Sequence, residues 1–279
     1  MTAGADDDER EDIEIDVLLE AVQRRYAYDF RGYARASLRR RLWRRAAGES
    51  VATISGLQER VLHDPDTMER LLRDLSINVT EMFRDPTFHR AIREQVFPLL
   101  RTYPYIRVWN AGCSTGEELY SVAIALHEAG LLDRARLYAT DINDDVLARA
   151  RDGAFPIEHM QRYTENYLRA GGKGEFSAYY TTRGNHAHFD PALARHAVFA
   201  QHNLVSDRSF NEFNLIICRN VMIYFGRDLQ DRVHSLFLES LSPFGVLALG
   251  RKESLKGTVA EPAYEPLNRS ERIYKRREG

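Results

Sequence analysis

The chain has 279 residues, is 44% hydrophobic, and sets 39 Lys and Arg against 41 Asp and Glu, a formal net charge of −2. That length suits one large domain or a small one plus a medium one, with enough apolar sequence for a proper core. The near-neutral balance gives no global nucleic-acid signature, and two cysteines, Cys113 and Cys218, argue against a disulfide framework. No apolar run approaches a membrane span and no secretory signal is visible, so a cytoplasmic protein without membrane insertion is expected.

Residues 1–14 carry seven acids and hardly an apolar side chain, which predicts a solvated, unstructured leader. From Ile15 to Leu75 the apolar residues recur at helical spacing. Ile15, Leu18, Leu19 and Val22 make one face, Leu38 and Leu42 a second, Ile54, Leu57 and Val61 a third, and Met68, Leu71, Leu72 and Leu75 a fourth. A small helical bundle is predicted. Its second helix carries Arg31, Arg35, Arg39, Arg40, Arg41, Arg44 and Arg45 with almost no acid nearby in sequence. So many unpaired arginines repel one another, which points to a docking surface for something acidic, either a helical protein or a nucleic acid. The alternative is an ordinary solvated face.

Asn78–Asp85 links this bundle to the rest, with Asn78, Thr80 and Arg84 expected toward a cleft and Asp85 expected to cap the helix begun by Pro86. Ile106–Ala111 then reads as a buried parallel strand, broken by Gly112 and Gly116, after which Leu119, Val122, Ala123 and Leu126 return to helical spacing. Strand, glycine turn and helix open a nucleotide-binding α/β domain. The acidic pair Glu117-Glu118 at the mouth of that helix would repel a pyrophosphate. It favours a ligand with a cationic end, and S-adenosylmethionine, with its ammonium and sulfonium, meets that demand.

Leu137–Asp141 is the expected second strand. Asp141 stands at its tip, placed to accept hydrogen bonds from ribose hydroxyls, while Asn143 and Asp144 are available to cap the following helix. Residues 155–190 break the α/β rhythm, and a small antiparallel insertion is expected with strands near 176–182 and 186–190. His186 and His188 on it have no third ligand nearby, so no metal is expected. Further strands follow at Ala197–His202, Phe213–Cys218 and Val246–Leu249, with a helix over Leu229–Leu241 and a hairpin from Tyr264 and Ile273–Lys275. The glycine turn, Asp141, Asn203-Leu204 and Arg219-Asn220 all fall at carboxyl ends of strands, where ligands sit in open α/β sheets.

Four blocks in this order resemble the signature of the CheR family of chemotaxis-receptor glutamate O-methyltransferases: Thr80–Asp85, Ser114–Ser121, Ala139–Asn143 and Cys218–Phe225. The likeness runs from about residue 15 to the C-terminus. It implies a Rossmann-like class I methyltransferase sheet over 77–279, an N-terminal helical domain over 15–76, and a β-subdomain insertion near 168–190. It also implies S-adenosylmethionine as cofactor, S-adenosylhomocysteine as product, and the helical cytoplasmic part of a chemoreceptor as partner, not a nucleic acid. By position it places Asn78, Thr80, Arg84, Gly112, one of Glu117 and Glu118, Asp141, Asn203, Leu204, Arg219 and Asn220 at the cofactor. Arg84 and Tyr224 fall at the substrate carboxylate, and the arginine helix resembles the receptor-facing helix, with Arg35, Arg39, Arg40, Arg41, Arg44 and Arg45 toward the partner. Leu119 departs from the family, which often has proline there. The glycine-rich run 169–175 differs from the pattern of members that grip a tethering peptide. The rival readings are a methyltransferase acting on RNA or a small molecule, and a non-catalytic cofactor-binding module. A nicotinamide-dependent oxidoreductase is disfavoured by the acids in the glycine turn.

Overall fold

The computed structural model describes residues 3–75 and 80–278. Two compact units are present: a helical one, formed by the chain up to residue 77 together with Tyr224–Gln230, and an α/β one formed by the remainder.

In the helical unit, α1 (Ala3–Tyr26), α2 (Arg35–Gly48), α3 (Ile54–His63) and α4 (Pro65–Leu75) bury the four apolar faces read from the sequence. Thr53 starts α3 by accepting the Gly56 N–H at 3.0 Å, the usual task of an N-cap threonine. The segment Tyr224–Gln230 is stitched to the loop after α1: Ala34 N–H donates to the Tyr224 carbonyl and Gly226 N–H to that of Gly32.

The acidic leader is corrected by the structure. Helix α1 already begins at Ala3, and Asp8, Glu11, Asp12 and Asp16 project toward α2, where Arg35 and Arg39 receive them. The arginine helix is likewise not unpaired. Arg31 pairs with Asp29 and Glu20, Arg44 and Arg45 with Asp74, and Arg45 also with Glu49. Arg41 is buried and donates to the Leu75 carbonyl at 2.5 Å. Arg40 remains an exposed cation. The acids that balance these arginines come from other helices, 18 residues or more away for most pairs, which a linear reading of α2 does not show.

In the α/β unit, a short helix α5 (Pro86–Ala91) passes through a π-turn (Ile92–Val96) into α6 (Phe97–Leu100). Then come β1 (Ile106–Ala111), α7 (Glu117–Glu128), β2 (Ala135–Asp141), α8 (Asp144–Asp152), β3 (Ala154–Pro156), α9 (Met160–Arg169), β4 (Tyr180–Arg183) and β5 (His186–Phe189). Strands β6 (Ala197–Gln201) and β7 (Phe213–Cys218), helix α10 (Arg227–Ser240, this unit from Asp231 on), β8 (Leu241–Leu249) and the hairpin β9 (Tyr264–Asn268) and β10 (Ile273–Arg276) complete it. The main sheet runs β6-β2-β1-β7-β8-β10-β9. Its first five strands are parallel and the terminal hairpin is antiparallel.

Strands β1 and β7, buried on both faces, match the continuous apolar runs that parallel sheets require. The antiparallel insertion is larger than the sequence suggests. Its sheet runs β3-β5-β4, so Ala154–Pro156 supplies a strand from before the expected segment, and Phe176–Tyr179 is a 3₁₀ turn instead of strand. Helix α9 lies between, closed by Tyr163, Tyr167 and Phe176 in the core. No helix among the described residues is long and apolar enough to cross a membrane.

Candidate functional site

The turn after β1 is built for close approach. Gly112 sits at φ +76°, and a Cβ there would lie 2.5 Å from Val221 Cγ2 in the loop after β7. Only glycine meets both demands at once, the left-handed backbone and the missing side chain. Gly116, at φ +97°, opens α7 and aims Glu117 and Glu118 in different directions. Glu117 is buried and accepts the Thr115 hydroxyl at 2.6 Å, and burial raises its carboxyl above the ordinary range. Glu118 instead accepts Asn110 Nδ2 at 2.8 Å from the end of β1 and Arg219 Nη1 at 2.6 Å from the end of β7.

Arg219 is the hub of this edge. Its side chain is 2% exposed, its second amino group meets Asp85 at 2.5 Å, and its guanidinium lies over the Phe88 ring at 4.0 Å. A planar fork reaching two carboxylates while stacked on an aromatic is a role that arginine alone fills well. Asp85 therefore stands at the N-cap position of α5 without capping it; its carboxylate is spent on Arg219, which corrects the capping expectation. His89 on α5 is fully buried beside Phe83 and Phe88. Burial first, then the Arg219 and Arg93 cations, pushes its imidazole toward the neutral form.

The block before α5 is fastened to the α/β unit at every step. Glu81 pairs with Arg162, the Met82 carbonyl accepts Asn166 Nδ2, and Phe83 N–H donates to Ser121 Oγ at 2.8 Å. Phe83 and Asp85 both adopt left-handed backbone, with φ of +51° and +56°, so Arg84 is held between two strained residues. Such strain persists only where the surroundings over-determine it, and it concentrates at functional sites. Thr80 and Arg84 are half-buried. Asn78 lies outside the described residues.

At the tip of β2, Asp141 is 8% exposed and accepts the N–H groups of Ser114 at 2.9 Å and Asn143 at 3.1 Å. Burial raises its carboxyl against these bonds. Asn143 caps α8 through the Asp145 N–H, so Asp141 is not the cap. After β6, Asn203 Oδ1 turns inward to the Val205 N–H, and Leu204 is buried. Asn220 sits at φ +62°. Its turn hangs on Glu253, a buried carboxylate that accepts the N–H groups of Asn220, Val221, Met222 and Gly250 at 2.6–3.1 Å. Tyr224 belongs to the helical unit, where its ring lies 4.5 Å from the Arg41 guanidinium.

The topology thus brings Gly112, Glu118, Asp141, Asn203 and Arg219 to the carboxyl ends of four neighbouring strands, β6, β2, β1 and β7. Asn110 and Glu253 were not singled out from sequence, and Asp85 was read only as a helix cap. Asn110 carried a signal, as the polar residue near the end of an apolar run. Glu253 carried none, because three of its four partners lie about 30 residues away in a turn. Cys113 and Cys218 are both buried, and burial pushes each thiol well up, which leaves them poor nucleophiles.

Among the described residues, the polar atoms at this edge buried without a protein partner include Asn110 Oδ1, Ser114 Oγ, Asn143 Nδ2, Asn203 Nδ2 and Arg219 Nε. Buried orphans of this kind call for a ligand or water. With the acids Glu118 and Asp141 and the close-approach glycine, they fit a nucleoside ligand with a cationic end.

A seven-stranded sheet of this order, with acids at its strand ends, defines the class: a Rossmann-like, class I methyltransferase fold. The chain belongs to the CheR family. Residues 78–268 match the CheR methyltransferase, SAM binding domain, and residues 13–76 match the CheR methyltransferase, all-alpha domain. Among its relatives, Cher3 of Pseudomonas putida is 49% identical over 95% of this chain and 97% of that one. The chemotaxis protein methyltransferase of Listeria monocytogenes is 28% identical over 88% of this chain and 92% of that one. That of Salmonella typhimurium is 31% identical over 69% and 66%.

Proposed function

We propose that the protein transfers the methyl group of S-adenosylmethionine to glutamate side chains on the helical cytoplasmic domain of a chemoreceptor-type protein, leaving glutamate methyl esters. The observation that carries this reading is the acid-lined strand edge, Glu118 held by Asn110 and Arg219 beside Asp141 fixed by Ser114 and Asn143, in a chain of the CheR methyltransferase family. The names of the Listeria and Salmonella relatives support the chemotaxis setting. A cytoplasmic location accords with it.

The cofactor would supply a methyl group on a sulfonium. Bound at this edge, it would offer that methyl to a carboxylate oxygen of the partner, with its sulfur as the leaving group that keeps the electron pair. Glutamate is ionised at neutral pH, so no general base is needed. The residues of this chain position and exclude water. Glu118 would accept the methionyl ammonium, in preference to Glu117, whose carboxylate is turned to Thr115. Asp141 would accept the ribose hydroxyls on lone pairs its backbone partners leave free. Asn203, Leu204 and the Arg219-Asn220 turn would line the nucleoside, with Thr80 beside them. Arg84 is assigned to the incoming carboxylate. Attack neutralises a carboxylate against a sulfonium, so a dry site favours the reaction.

The test is incubation with methyl-labelled S-adenosylmethionine and a purified receptor cytoplasmic fragment. Label in the fragment that mild alkali releases as methanol supports an ester. Alkali-stable label, or label only in added RNA, contradicts it.

A further inference from the structure

The helical unit carries its own acidic helix on the arginine face. Asp8, Glu11, Asp12 and Asp16 recur at spacings of three and four along α1, one side of a helix, and Arg35, Arg39 and Trp43 recur at four along α2. The two rows meet antiparallel. Arg35 binds Asp16 at 2.6 Å and Asp12 at 2.9 Å, Arg39 binds Glu11 at 2.6 Å and Asp8 at 2.8 Å, and the Trp43 indole N–H donates to Glu11 at 2.8 Å. Among the described side chains of α1, burial in the core begins at Ile15, and Ile13 is 59% exposed. Asp8, Asp12 and Asp16 are held to α2 by ion pairs at the surface, where each pair is weak and salt-sensitive, and Glu11 is the one largely shielded carboxylate of the row.

We propose that the acidic row Asp8, Glu11, Asp12 and Asp16 of α1 acts as a displaceable mimic of an acidic partner helix, its carboxylates yielding the arginines while Ile15 stays in the core. These acids occupy the Arg35–Arg39–Trp43 face, and an acidic helix of the partner docks there by exchange with them. An arginine row at a spacing of four, reading carboxylates at three and four on an antiparallel helix, selects an acidic α-helical protein. This inference rests on the proposed function for the identity of that protein, but not for the exchange itself.

The exchange is tested on the full chain with a fluorescein-labelled, alanine-based helical peptide bearing glutamate at every fourth position. In low salt, D8N/E11Q/D12N/D16N binds the peptide about tenfold more tightly than the wild type, within what a few surface pairs supply. Adding R35Q/R39Q abolishes the gain, as does roughly 0.5 M salt. Neutralising three exposed acids elsewhere in the helical unit, E59Q/D66N/E69Q, gives no such gain. The milder D12N/D16N, which leaves Glu11 on Trp43, falls between and serves if the quadruple variant unfolds. Equal affinity of wild type and variant, or a gain that survives R35Q/R39Q or appears equally in the control, overturns the proposal. With the receptor fragment as substrate, the same variant raises kcat/KM. If the wild type methylates no receptor fragment, the proposed function fails while the peptide experiment still decides the exchange.

Discussion

Arg219 reaches Asp85 at 2.5 Å across 134 residues of sequence, and the same guanidinium holds Glu118 at 2.6 Å. One buried cation thereby fixes both the turn that presents Arg84 and the acid assigned to the cofactor. Removing it leaves the largely buried Glu118 and the partly exposed Asp85 without their cation. R219A is expected to lower stability by about 3–5 kcal/mol, the usual cost of breaking a buried pair from one side. D85N combined with R219M, which removes the cation together with one of its two carboxylates, should recover part of that loss. Thermal melts of the wild type and the two variants measure it, and an R219A melt within a degree or so of wild type would show that the triad is not holding the edge.

Arg84 is placed by strain on both sides and lies outside that triad. R84A should reduce methyl transfer by about a hundredfold, the scale of lost positioning, with little change in Tm. Single-turnover assays at saturating cofactor check this. Near wild-type turnover would remove Arg84 from the mechanism.

Gly112 makes a two-part prediction. G112A meets both a left-handed backbone and the Val221 methyl at 2.5 Å, so cofactor affinity should fall at least tenfold. V221A removes the clash but not the backbone strain, so G112A/V221A should regain part of the affinity and not all. Calorimetric titration with S-adenosylhomocysteine separates the outcomes. Full recovery would mean that φ is unimportant here, and none would mean that the collision is.

Glu49 sets an acid limit on the helical unit. Hydrogen bonds from Arg70, then Arg45, overcome its burial and hold its carboxyl down at about 2, against an ordinary 4.5. A group whose folded value is depressed adds stability that is fully present above the ordinary value and is lost as pH falls through the folded one. The Tm gap between wild type and E49Q should therefore be constant above pH 5 and close between about 4.5 and 2. A gap independent of pH would show that Glu49 acts through shape and not charge.

Much of this was legible in the sequence because parallel strands and amphipathic helices write their burial into local spacing. The apolar runs at 106–111 and 213–218 are β1 and β7, and all four apolar faces of the helical bundle are buried. What escaped is pairing between distant charges. The acids at 8–16 read as a solvated leader because their partners, Arg35 and Arg39, lie on another helix. Asp85 read as a cap because a cap is what an Asp before Pro usually is, and nothing local announces Arg219. Strand β3 was missed for the same reason: three residues, Ala154–Pro156, make no pattern until β5 pairs with them.

The account turns on whose carboxylate receives the methyl group. Peptide mapping by mass spectrometry of a receptor cytoplasmic fragment, after incubation with the protein and S-adenosylmethionine, tests it most directly. Methyl groups confined to glutamate side chains on the fragment's helices, and absent when E118Q/D141N replaces the wild type, are the expected result. Methylation at lysine or an amino terminus, or none on the fragment while a nucleic acid or small molecule becomes methylated, would contradict it.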